Sequence, residues 1–258
     1  MRHLGILILL LCLSACATTT TSNSAPKKTQ ADQDELAKIY ADMGLAYLRR
    51  GELEHAQERL EKSLSIKPKD ADTMHYLAEI YHRFGRDAEA AKLYRNSIKL
   101  KPDEPNLLNN YAAFLCSQAQ FDEADHIFSR VINDPTYGTP FVAYENAGRC
   151  ALRKGDLVKA EAYFIEALRA QPSLARSLFH MAELQFEKEK FFKARAFFER
   201  FLAVGAKTPE VLLLGYKIEK KLGDNDMAKI YSDPLIREYR DSPETQKLRE
   251  MEEMASQE

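Results

Sequence analysis

Small and large residues recur in this chain at a fixed spacing, and that spacing leaves few folds open. A small residue stands at Gly44, Ala78, Ala112, Gly148 and Ala182, and an alanine at Ala56, Ala90, Ala124, Ala160 and Ala194. Both series step by 34, 34, 36 and 34 residues, so one two-residue insertion accounts for the irregularity. Four residues after each alanine comes a bulky one: Leu60, Tyr94, Phe128, Phe164 and Phe198. A period of this length signals an array of stacked units, each too small to bury a core alone.

Each unit reads as a helix, a short turn and a second, antiparallel helix. Two helices approach closely only where a side chain is nearly absent, so the small residue and the alanine make room that the bulky residue fills. Gly51, Gly85 and Gly155 supply the positive φ that ends the first helix, and Pro68, Pro102 and Pro172 end the second. Between Ala71 and Glu104, the residues Leu77, Ala78, Tyr81, Gly85, Ala90, Tyr94 and Pro102 fall at the offsets of the tetratricopeptide pattern, which this chain therefore resembles. The resemblance implies an all-α tetratricopeptide-repeat solenoid of about six helix-turn-helix repeats, wound as a right-handed superhelix.

The repeats are expected at about 37–70, 71–104, 105–140 with the insertion in Asn133–Pro140, 141–174 and 175–208. A sixth, degenerate copy starts at Leu214-Gly215 and places Gly223 and Ala228 one residue late, and Pro234 interrupts its second helix or starts a new one. The repeat domain thus spans 32–241. Ser242-Pro243 reads as an N-cap followed by proline at the first helical position. Residues 242–258 then form a charged helix or tail that closes the stack or frays.

Residues 1–15, MRHLGILILLLCLSA, have a charged start and an apolar run too short to span a bilayer, the form of a secretory signal. The run ends in Leu13-Ser14-Ala15-Cys16, which resembles a bacterial lipobox. An incidental cysteine after an ordinary signal is the plainer alternative; the motif's place at the end of the apolar run, ahead of a polar linker, favours the lipobox. Cys16 would then carry the lipid, and Ala17 in place of aspartate implies delivery to the outer membrane, facing the periplasm. Residues 16–31, rich in Thr and Ser, read as a flexible tether reaching at most about 50 Å.

The net charge of −2, with no basic tract, argues against nucleic acid as the principal partner. No catalytic constellation appears: HExxH, GxSxG and phosphate loops are missing from the sequence. The reading is therefore of a protein that is not an enzyme, with no cofactor, metal or small-molecule substrate. His55, His75, His82, His126 and His180 read as solvated or groove-facing helix residues and not as metal ligands.

Cys116 and Cys150 fall in the first helices of repeats 3 and 4. An export signal would place them in an oxidising compartment, which favours a disulfide over two buried thiols provided the Cα atoms come within about 7 Å. The concave face of such a solenoid takes positions 2, 5, 6, 9, 12 and 13 of each first helix. Position 6 reads Asp42, Tyr76, Asn110, Asn146 and His180, a polar ladder that either hydrogen-bonds an extended peptide or is simply solvated. Arg149 shares that face. In repeat 1, Ala41, Leu45 and Leu48 form an apolar stripe where solvent would be expected, open to a partner's apolar residues or to the chain's own N-terminal segment; a partner is preferred, because groove binding needs anchors at this spacing. The Lys and Asn clamp that grips C-terminal carboxylates in some repeat proteins is not reproduced.

Repeats 3 and 4 carry a more specific likeness. The segments Asn109-Asn110-Tyr111-Ala112-Ala113-Phe114-Leu115-Cys116, Phe121-Asp122-Glu123-Ala124, Pro135-Thr136-Tyr137 and Glu145-Asn146-Ala147-Gly148-Arg149-Cys150 resemble the type IV pilus biogenesis lipoprotein family known as PilF or PilW. The likeness takes in the lipobox, tether, repeats and paired cysteines. It implies a pilotin: an outer-membrane lipoprotein that binds the type IV pilus secretin subunit, promotes its localisation or multimerisation, and supports pilus assembly and twitching motility. It further implies Cys16 as the lipid site and Cys116–Cys150 as a bridge. A periplasmic repeat lipoprotein that scaffolds cell-wall hydrolases or outer-membrane protein assembly is the alternative, and a lipoprotein enzyme with an unrecognised site is a third.

Overall fold

The computed structural model describes residues 29–255. The signal segment 1–15, the lipid site Cys16 and the tether as far as residue 28 lie outside the described residues, as do residues 256–258.

The described residues form thirteen helices and no strand. They pair as α1 (Gln30–Arg49) with α2 (Leu53–Ile66), α3 (Ala71–Arg83) with α4 (Asp87–Leu100), α5 (Pro105–Ser117) with α6 (Phe121–Ile132), and α7 (Pro140–Lys154) with α8 (Leu157–Ala170). α9 (Ala175–Glu187) pairs with α10 (Phe191–Leu202) and α11 (Pro209–Leu222) with α12 (Asn225–Glu238), and α13 (Pro243–Ala255) follows. Each helix packs on the next in sequence. First helices also touch first helices, α1 with α3, α3 with α5 and α5 with α7, so they line one face of a tetratricopeptide solenoid.

The repeated small and large residues lock each hairpin. All five second-helix alanines have no exposed surface, and Leu60, Phe128, Phe164 and Phe198 have none either. A Cβ on Gly44 would meet Leu60 Cγ at 2.6 Å, and one on Gly148 would meet Phe164 Cε1 at 2.8 Å. Two serines add a polar tie: Ser63 Oγ donates to the Ala37 carbonyl (2.8 Å) and Ser97 Oγ to that of Ala71 (2.6 Å).

The turns share one geometry. In each hairpin a backbone N–H closes back five residues, as from Glu52 to Tyr47 (3.0 Å), Gln120 to Leu115 (2.9 Å) and Lys190 to Gln185 (2.8 Å). That bond requires a left-handed residue just before it. Glycine fills the place at Gly51, Gly85, Gly155 and Gly223, but repeats 3 and 5 put Ala119 (φ 59°) and Glu189 (φ 55°) there. The stack holds these two in a conformation their side chains disfavour.

The ends differ from the sequence reading. α1 begins at Gln30, inside the segment assigned to the tether. Thr29 caps it: its hydroxyl accepts the Asp32 N–H (3.1 Å) while its own N–H donates to the Asp32 carboxylate (2.8 Å). Pro234 neither breaks α12 nor starts a new helix; α12 runs through it to Glu238. The carbonyl that loses its donor belongs to Ile230, on a residue 56% exposed, where water can take its place. α13 closes the stack. The Ser242 hydroxyl accepts the Thr245 N–H (3.2 Å), and Leu248, fully buried, joins the core of repeats 5 and 6.

Candidate functional site

Helices α1 and α3 enclose a cleft of about 730 Å³ on the first-helix face. Ala41, Leu45 and Tyr76 are its apolar lining, and Asp34, Glu35, Asp42, Asp70 and Asp72 outnumber Lys38 and Lys67 around it. The expected stripe divides here. Ala41 and Leu45 face the cleft, whereas Leu48 is half-buried against the cluster of Ala56, Leu60, Leu77 and Ile80, in the seam between repeats 1 and 2. Tyr76 serves both, since it also packs against that cluster.

The polar ladder continues from this cleft, and two of its members, Asn110 and Asn146, are tied through His75 and Asn109, the residues that precede ladder positions. Asn110 Nδ2 lies 2.7 Å from His75 Nε2, Asn109 Nδ2 donates to Asn110 Oδ1 (3.4 Å), and Asn146 Nδ2 donates to Asn109 Oδ1 (3.3 Å). His75 is not the solvated or groove-facing residue expected: it is 3% exposed, with its ring against Tyr76 and Tyr94. Burial holds its pKa down to about 4, Asp72 opposing and Lys101 adding to the effect. A neutral imidazole can accept the Asn110 amide proton at Nε2. Further along, His180 stacks on Phe164 and its Nδ1 lies 2.9 Å from the Glu183 carboxylate.

Charge concentrates where repeats 4 and 5 meet. The Glu145 carboxylate accepts the Ser177 hydroxyl (2.9 Å) and lies 3.4 Å from Arg176. Arg149 sits beside them, and neighbouring side chains that exclude water, then the Arg176 charge, hold its pKa below the usual arginine value. The face therefore passes from an acidic, apolar cleft to an amide chain and then to a cationic step.

Cys116 on α5 and Cys150 on α7 form a disulfide, with Cα atoms 5.7 Å apart and each residue 5% exposed. It joins the first helices on either side of the insertion. Tyr137, from the insertion itself, is buried in the same cluster, so ring and bridge together hold repeats 3 and 4.

A second cleft, of about 390 Å³, opens at the far end between α9, α10, α11 and α13, with Phe186, Leu213 and Leu214 in its lining. The sequence reading did not find it. Phe186 and Leu213 fall at first-helix positions 12 and 6, so the repeat register marked them as facing the groove; the α13 wall was the missing part. Among the described residues no group of three His, Cys, Asp or Glu side chains could hold a metal ion, and no helix is long and apolar enough to cross a membrane.

Comparison with known proteins places these features in context. The tetratricopeptide repeat family matches residues 41–105, 117–175 and 145–210. The type IV pilus assembly protein PilF of Pseudomonas aeruginosa is 31% identical over 246 residues, covering 94% of this chain and 96% of that protein. The crystal structure of PilW, described as a widely conserved type IV pilus biogenesis factor, superposes with a TM-score of 0.75 at 29% identity, covering 83% of this chain and 98% of PilW. The structure of Pseudomonas aeruginosa PilF superposes with a TM-score of 0.76 at 30% identity, covering 85% and 99%.

Proposed function

Because the chain belongs to the tetratricopeptide-repeat family of type IV pilus biogenesis proteins that includes PilF and PilW, we propose that it acts as a pilotin: a lipoprotein anchored through Cys16 on the periplasmic side of the outer membrane. In this reading it binds a type IV pilus secretin subunit and promotes its localisation or assembly there. The observation that carries the reading is the cleft between α1 and α3, where Ala41, Leu45 and Tyr76 offer apolar anchors inside an acidic rim. A helix or strand of a partner presenting apolar residues at matching spacing would bury them against that lining.

The mechanism is one of holding and delivery. Several acyl chains on Cys16 would fix the protein to a bilayer, each buried methylene contributing about 0.8 kcal/mol. A subunit held in the cleft is thereby confined near the membrane it must enter, which raises its effective concentration there. The test is affinity capture from cells with the native protein and with Leu45→Asp. Recovery of the secretin by the native protein and its loss with the variant supports the reading; recovery of cell-wall hydrolases without any secretin overturns it in favour of a cell-wall scaffold.

A further inference from the structure

The cleft at the C-terminal end is built as carefully as the first and lies four repeats away from it. Its floor is Phe186, Leu213 and Leu214, with the Phe191 ring 5.4 Å from that of Phe186. The Lys217 ammonium rests over the Phe186 ring at 4.7 Å, so the aromatic face already accommodates a cation. Around this floor stand Glu183, Glu187, Glu189, Glu210 and Glu244 against Lys217, Lys221 and Lys247. Glu183 lies against His180, and among the described residues neither Glu187, Glu189 and Glu244 nor Lys217, Lys221 and Lys247 make an ion pair, so the five carboxylates exceed the three ammonium groups around the opening. Their charge is left facing the opening. The wall formed by α13 is itself firm, pinned by the buried Leu248 and Thr245.

We infer that this cleft is a second polypeptide-binding site, and that it takes a segment with one large apolar or aromatic side chain flanked by lysine or arginine. The side chain fills the slot over Leu213 and Leu214, and the flanking cations meet the carboxylates of Glu187, Glu189 and Glu244. This rests on the repeat fold and not on the identity of the partner held in the first cleft. A protein with two such sites at opposite ends of one face can hold two segments of one partner, or two neighbouring subunits, at once.

The chain contains no tryptophan, so a tryptophan in a synthetic peptide reports on its own burial. Purified protein lacking the signal segment is titrated with Lys-Ser-Lys-Trp-Lys-Ser-Lys and with the same peptide carrying glutamate for lysine. The lysine peptide should show a saturable blue shift of its emission, weakened at least tenfold by Glu187→Lys with Glu189→Lys and unaffected by Leu45→Asp; the glutamate peptide should show none. All three substituted residues lie outside the core, and circular dichroism checks that the variants keep their helical content. Equal binding of both peptides, no saturable binding of the lysine peptide, or binding lost with Leu45→Asp but kept in the double variant would overturn the assignment.

Discussion

Gly148 and Phe164 touch backbone to ring: a Cβ on Gly148 would lie 2.8 Å from Cε1 and 2.9 Å from Cδ1 of an aromatic side chain with no exposed surface. Alanine in place of a mid-helix glycine gains about 1 kcal/mol of helix propensity, but the enclosed ring cannot swing aside, and overpacking of this kind costs about 1–3 kcal/mol. Gly148→Ala should therefore lower stability to urea on balance. Phe164→Leu should be less harmful in the Gly148→Ala background than alone, and additive effects would show that the two residues do not share the space as described.

The Cys116–Cys150 bridge closes a span of 34 residues, which on the chain-entropy account contributes about 3–4 kcal/mol. Cys116→Ser should lose about that much in denaturant unfolding. Hydrogen exchange should then rise first in α5 and α7, and a rise confined to other repeats would contradict the stapling role.

His75 predicts a pH dependence with a definite sign. Its folded-state pKa of about 4 lies below the ordinary value of 6.5, so the unfolded chain takes up a proton that the folded one refuses. Its share of stability is whole above pH 6.5, falls as pH drops from there to about 4, and is lost below. The span corresponds to about 3 kcal/mol. Comparing the native protein with His75→Gln between pH 7 and pH 5, a window chosen to avoid most carboxylates, should show a steeper loss in the native protein. Parallel curves would place the imidazole in water.

These three predictions show what the residues disclosed and what they withheld. The Gly148–Phe164 lock was legible because small and large residues must alternate in register if helices are to approach, and register survives in sequence. The turns at Ala119 and Glu189 were not, since local preference opposes the φ that the closing backbone bond imposes. His75 and Asn110 sit 35 residues apart, and only stacking makes them partners. Leu248 stands in a segment dominated by charged residues, so nothing local marks it as core, and the C-terminal cleft needs four elements brought together before it exists. Periodicity reports packing within a unit; it is silent on what the last helix does to the units before it.

Cys16→Ser should abolish incorporation of labelled palmitate and release the protein from membranes on cell fractionation, with the repeat domain still folded. Label retained by the variant would assign the lipid to another residue or to none.

The first-helix face of repeats 1 and 2 is proposed to grip a secretin subunit, and crosslinking reads that contact directly. With a photoreactive phenylalanine analogue in place of Leu45, illumination of intact cells should yield an adduct that mass spectrometry identifies as the type IV pilus secretin. An adduct to a cell-wall hydrolase or another envelope protein, with no secretin attached, would contradict it.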